Sequence, residues 1–205
     1  MTVDVKDLDR FFIRQRIRPM INQYEVSTLG TDEKSEGEPL FFVEQKRMTL
    51  KEDLRAYTDD TKTSEVFRIK AQQVWDPRAR YDVTDAAGAQ LGQLKKVFGK
   101  SLLRSTWEVY DSSGALVATA RERNLVVAVF RRLVGLIPYI GDFADWLPIR
   151  YHFDYFVDGE PIGGLERIIG VRDRYRFDLS GDAERRVDRR VALALAVGMD
   201  ALQAR

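Results

Sequence analysis

The side chains able to do chemistry in this chain are few, and most of them are cationic. His152 is the one histidine and there is no cysteine. Thiol nucleophiles, disulfides and thiolate-bound zinc are therefore excluded. No Ser–His–acid set can be assembled around His152, which falls on the outward side of a period-two segment and reads as solvent-facing. The stretch Phe98-Gly99-Lys100-Ser101 ends like a phosphate-binding loop, but Leu94 stands where the earlier glycine is required. Gly163-Gly164 falls inside a hairpin rather than opening a helix, so it is no dinucleotide fingerprint. No Asp-x-Asp-x-Asp-Gly calcium loop occurs.

What remains is a chemistry of anion binding. Arg14, Arg16 and Arg18 alternate, so on a strand they share a face. Arg121, Arg123, Arg131 and Arg132 flank an apolar segment. Arg185, Arg186, Arg189 and Arg190 precede the apolar C-terminal run. Guanidinium groups at such spacing could hold phosphate headgroups. The competing reading is a solvated face offset by neighbouring acids such as Glu122, Glu184 and Asp188.

Among the elements that must carry these groups, the C-terminus "RRVALALAVGMDAL" is the most telling. It is apolar on every side of a helix, and a surface helix would keep one polar face. Its apolar run of about 12 residues makes about 18 Å of helix, where a membrane span needs roughly 20 residues. The expectation is a helix enclosed by protein, with Asp182 as N-cap and Glu184 in the first turn. The alanines and Gly198 keep it thin.

Most of the rest reads as strands. In "RYRFDLS", Tyr175, Phe177 and Leu179 alternate with charged residues, and in "YHFDYFV" Tyr151, Phe153, Tyr155 and Val157 share one side. "FFIRQRI" alternates Phe11, Ile13 and Ile17 less cleanly, and "EVFRIKAQ" turns Phe67, Ile69 and Ala71 inward. "LFFVEQKR" is a further strand. "YDVTDAAGAQLGQLKK" and "WEVYDSSGALVATARER" repeat one unit, an aromatic four residues before an aspartate (Asp85, Asp111) and a glycine three after it (Gly88, Gly114). "YHFDYFVDGEPIGGLERI" is a looser copy with Asp158 and Gly159. This is hairpin chemistry, with Asp accepting backbone N–H bonds and Gly supplying positive φ. Metal binding by these aspartates is the less favoured alternative.

Two segments break the pattern. Residues 30–39, "GTDEKSEGEP", form an acidic loop. Residues 124–148 are strongly apolar but carry Arg131 and Arg132 centrally, and read as two short helices inserted between hairpins.

In this order, "FFVEQKRM", the two Asp-x-x-Gly hairpins, and a charged strand running into an all-apolar helix resemble the LURP-one-related family. That family belongs to the tubby C-terminal-like superfamily, which includes phospholipid scramblases. The resemblance runs from about Phe41 to Leu202 and leaves out the insertion. It implies a mainly β (α+β) fold, a closed antiparallel barrel of about a dozen strands around the hydrophobic C-terminal helix. The whole chain, 1–205, is then one domain. A calcium dependence has no matching residues here.

The resemblance and the insertion together lead to a non-enzymatic lipid- or membrane-surface module without a cofactor. Arg14, Arg16, Arg18, Arg131 and Arg132 are its lipid- or anion-binding candidates. Phe130, Leu133, Leu136, Ile137, Tyr139, Phe143 and Trp146 are its membrane or partner contacts. The alternative is a protein-interaction or homo-oligomeric scaffold using the same 124–148 surface. With 33 basic and 32 acidic side chains, the formal net charge is +1, and nucleic acid is not an expected partner. The first residues lack the apolar core of a signal peptide, so the expected location is cytoplasmic, peripheral to the membrane on the lipid reading.

Overall fold

The computed structural model describes residues 4–18, 21–46, 53–72, 80–97, 105–123, 152–168 and 174–203. Alternation builds its wall: strand residues of one parity are apolar and face inward, while those of the other parity are charged or polar. The strands are β1 (Arg10–Arg18), β2 (Ile21–Leu29), β3 (Glu36–Lys46), β4 (Asp53–Tyr57), β5 (Glu65–Ala71) and β6 (Arg80–Asp85), then β7 (Gln90–Val97), β8 (Thr106–Asp111), β9 (Leu116–Glu122), β10 (His152–Val157), β11 (Glu160–Ile168) and β12 (Arg174–Asp178). They pair in sequence order and close into one barrel where β1 meets β12, with Phe11 opposite Phe177 and Ile13 opposite Tyr175. Closure leaves no strand edge exposed for pairing with another chain.

The C-terminal helix α1 (Arg189–Gln203) fills the lumen. Every residue from Val191 to Met199 is buried. Leu193, Leu195 and Met199 are fully enclosed and Val197 is 1% exposed. The wall explains the thin helix. Trp107, Tyr24, Tyr155, Phe11, Phe67, Phe153 and Phe177 all point inward and are fully buried or nearly so. Large side chains on the wall narrow the lumen, and Ala192, Ala194 and Ala196 let the helix fit there beside Leu193, Leu195 and Val197. The rings meet in offset and edge-on contacts, Tyr155 with Phe177 at 5.2 Å and Phe41 with Phe67 at 5.5 Å.

The start of the helix differs from the sequence expectation. Asp188 is the residue before α1, and its Oδ1 accepts the Arg190 N–H at 2.8 Å. Asp182 instead accepts the N–H groups of Arg186 and Val187 at 3.0 and 3.1 Å, closing the turn that leads into the helix. Glu184 therefore lies in that turn, ahead of the first helical residue. Several aspartates precede the apolar run, and only the chain's path into the barrel selects which one caps it.

The hairpin repeats are turns as expected. Asp111 Oδ1 accepts N–H bonds from Ser113 and Ala115, both at 2.9 Å, and Gly114 has φ +85°. Asp158 and Gly159 both take positive φ, 51° and 88°, which suits the two-residue reversal between β10 and β11. Strands β2 and β4 had no counterpart among the strands read from the sequence. The segment 30–39 is also shorter as a loop, because Glu36–Pro39 already belong to β3.

The barrel has two distinct ends. The β2–β3, β4–β5, β6–β7, β8–β9 and β10–β11 turns ring the mouth that α1 enters. The β1–β2, β3–β4, β5–β6, β7–β8, β9–β10 and β11–β12 connections leave from the far end. The inserted segment 124–148 lies outside the described residues, but its anchors Arg123 and His152 are at that far end, joined by a backbone bond of 2.9 Å.

Candidate functional site

The arginine stripe of β1 lies on the outer wall, as alternation requires, and the structure surrounds it with carboxylates. Glu25, directly across on β2, accepts hydrogen bonds from both Arg14 and Arg16. Arg14 also reaches Glu36, and Arg16 reaches Asp60, each at 3.3 Å. Arg10, two pleat repeats before Arg14, bonds Glu33 at 2.6 Å and Asp178 at 3.4 Å. The Arg16 guanidinium lies over the Phe42 ring, 5.3 Å from its centroid. Hydrogen bonding to Glu25 holds the Arg16 pKa above its ordinary value against the opposing effect of burial. The side chain of Arg18 lies outside the described residues, as do Arg131, Arg132, Phe130, Leu133, Leu136, Ile137, Tyr139, Phe143 and Trp146.

A second cluster rims the helix mouth. A cleft of about 380 Å³ opens there between α1, the β8–β9 hairpin and the N-terminal segment. Leu91, Val109, Val117 and Val191 are apolar members of its lining, and Lys6, Arg185 and Arg186 are cationic ones. The first helical turn can approach β7 because residue 92 is glycine. A Cβ there would stand 2.4 Å from the Tyr110 carbonyl oxygen and 3.1 Å from a Val191 methyl. Each arginine of this cluster is engaged. Arg185 donates to the Lys6 and Asp7 carbonyls, Arg186 to Asp158, and Arg190 to Asp188. Arg189 is buried against Asp9 and Asp182, at 2.7 and 2.6 Å.

Arg123, near the insertion, bonds Asp154 at 2.6 Å and Glu166 at 2.9 Å, and Arg176 bonds the other oxygen of Glu166 at 2.7 Å. Arg121 instead lies over the Phe156 ring at 5.4 Å. His152 sits on the outer parity of β10, next to the buried Phe153. The Lys100–Ser101 pair lies outside the described residues. Among those described, no group of histidine, aspartate and glutamate is arranged to hold a metal ion.

Chemically, this is a wall of charges matched one to another around an apolar centre. Tyr155 illustrates the interior. Its hydroxyl has no hydrogen-bond partner, and burial pushes its pKa far up, so the phenol stays neutral. The sequence reading named the arginines but not their partners Glu25, Glu33 and Asp60, nor Glu36 as a strand residue. Glu25 had a legible signal: it alternates with Tyr24 and Val26, so it faces outward on any strand drawn through them. Glu33, Glu36 and Asp60 come from hairpin ends, and nothing local ties them to β1.

A helix-cored, fully closed antiparallel barrel is thus the class of protein the geometry defines. The family model for LURP-one-related proteins matches residues 40–200, and the chain belongs to that family. The matched range begins within β3 and ends near the end of α1, so it takes in the helix and most of the wall. No curated protein matches the chain.

Proposed function

We propose that this protein is a non-enzymatic binding module that docks on a lipid or membrane surface through the far end of its barrel. The observation that carries this reading is the polarity of the two ends. Connections at the helix mouth are short and made of small or polar residues, such as Ala86–Ala89, Ser112–Ala115 and the pair Asp158-Gly159, with no large apolar side chain among them. The far end bears the 124–148 sequence, which joins Phe130, Leu133, Leu136, Ile137, Tyr139, Phe143 and Trp146 to Arg131 and Arg132. Large apolar side chains mixed with arginine suit the boundary between headgroups and acyl chains. β1 also runs toward that end, so Arg14, Arg16 and Arg18 lead along the wall to the same surface. No helix among the described residues is long and apolar enough to cross a membrane.

Flotation of the full chain with phosphatidylcholine vesicles, with and without an anionic lipid, tests the reading. Binding to the anionic vesicles at low salt is expected, and it should fall when Leu125–Trp146 is deleted. Absence of binding at low salt, where electrostatic attraction is strongest, overturns it. The competing reading is a protein-interaction or self-association surface in the same segment. It would gain support if the parent chain proved oligomeric by light scattering, the deletion made it monomeric, and vesicles captured neither.

A further inference from the structure

From the contacts of the β2–β3 hairpin we infer that its acidic tip is a built-in counter-ion, seated on a phosphate-binding face of β1 that it holds closed. Register gives the geometry. Thr28 stands opposite Phe11, so Leu29 and its β3 partner Glu36 lie level with the start of β1. Arg14 is four residues along, about 13 Å at strand spacing. Glu36 nevertheless contacts Arg14 at 3.3 Å, and Glu33 contacts Arg10 at 2.6 Å. The β2–β3 ladder slips at Val26/Ser27 and again at Ser27/Leu29. Such bulges bend a hairpin, and here the bend brings the tip back over the outer wall.

Burial agrees with this. Phe12 and Ser27 are cross-strand partners of outward parity, yet they are only 2% and 1% exposed. The same face holds unmet polar groups. The Ser27 hydroxyl and the Arg14 Nε are buried without a hydrogen-bond partner. A hydroxyl and a guanidinium with unused bonding capacity, diagonal to one another on adjacent strands, suit the oxygens of a phosphate ester. With the tip seated, Glu33, Glu36 and Glu25 occupy the guanidinium groups and the face repels anions. With the tip displaced, Arg14 keeps Glu25, and Arg10 keeps Asp178 and Ser180 through its Nε, so the guanidinium N–H groups released by Glu33 and Glu36 lie beside Ser27.

The face therefore takes a phosphate group in exchange for two carboxylates. This deepens the membrane reading and rests on it only for the source of the phosphate. Exposed ion pairs are individually weak, about 0.2–1 kcal/mol, so the exchange is within reach of a multiply bonded phosphate.

The test uses the full chain as the parent, the Glu33→Gln/Glu36→Gln double variant, the same variant with Arg14→Gln added, and a charge-matched control, Glu160→Gln/Glu184→Gln. The probes are inorganic phosphate, followed by titration calorimetry, and phosphatidylcholine vesicles with and without phosphatidic acid. The double variant should bind the phosphate-bearing probe roughly twofold to thirtyfold tighter than the parent, the ratio that loss of two such pairs implies. Adding Arg14→Gln should abolish the gain, and the control should show none. Thermal melts of all variants, expected near the parent's, exclude unfolding as the cause.

An equal gain in the control, a gain that survives Arg14→Gln, or no gain with either probe overturns the inference. A gain with inorganic phosphate but not with vesicles supports the face and counts against membrane docking. Vesicle binding by the parent that ignores these substitutions supports docking and overturns the face.

Discussion

Arg189 donates to Asp182 at 2.6 Å where the helix enters the barrel, with side chains only 1% and 3% exposed. The same guanidinium bonds Asp9, 180 residues away, and the carbonyls of Val187 and Asp182. One side chain thus ties together the N-terminal segment, the turn before the helix and the helix itself. A buried pair contributes little compared with an apolar replacement, but losing one partner strands the other charge. Arg189→Met should therefore cost about 3–5 kcal/mol. Arg189→Met combined with Asp182→Asn should cost clearly less than the sum of the two single changes. Urea denaturation of the four proteins gives the coupling, and additive costs would show that the pair does not act as a unit.

Acid should unfold the protein through these same carboxylates. Burial alone would push Asp182, Asp188 and Asp53 upward, but arginine hydrogen bonds and charge, joined at Asp182 and Asp188 by backbone N–H bonds, together outweigh it and hold all three below the ordinary carboxylate value. The partners are Arg189 for Asp182, Arg190 for Asp188, and Arg68 with Arg55 for Asp53. A carboxyl depressed in the folded state takes up protons more readily when unfolded. Its contribution is thus complete above the unfolded-state pKa of about 4 and disappears as pH falls through the lower folded-state value. Denaturation midpoints measured from neutral pH downward should be flat at first and then drop below about pH 4. Asp53→Asn should lower the plateau and shallow the drop.

Leu195 tests the enclosed helix. It is fully buried with wall on every side, so Leu195→Ala should cost about 2–5 kcal/mol. Leu195→Asp, which would place an unpaired charge in the lumen, should prevent recovery of folded protein. Thermal melting and solubility report both, and an aspartate variant as stable as the parent would contradict burial of that helix.

Tyr155 should give the opposite sign. Its hydroxyl is buried without a partner, and an unmet buried polar group costs about 1–3 kcal/mol. Tyr155→Phe keeps the ring against Phe177 and removes the cost. A gain of about 1 kcal/mol in chemical denaturation is expected, and a loss of that size would mean that the hydroxyl is satisfied in solution.

Much of the architecture is legible from individual segments. "RYRFDLS" and "YHFDYFV" declare strands because each burial choice is made locally, every second residue. The Asp-x-x-Gly turns are legible for the same reason, since Asp111 bonds only to Ser113 and Ala115 within its own turn. β2 is harder to see because bulges and a buried Ser27 interrupt its alternation. The N-cap is not legible locally, because Asp182 and Asp188 are equivalent in local chemistry and differ only in where the barrel mouth lies. For the arginine stripe, a shared face was readable from Arg14 and Arg16, but its partners were not.

Local patterning alone requires that the C-terminal helix be surrounded and that the wall have one apolar and one charged face. Both follow from periodicity, a property of neighbours along the chain. Which charges meet is set by the closed barrel: Arg14 with Glu36, Arg16 with Asp60, Arg189 with Asp9. These pairings depend on strand register, on two bulges and on closure of β1 against β12. A charge carries no record along the chain of the distant residue that will stand opposite it once the barrel is shut.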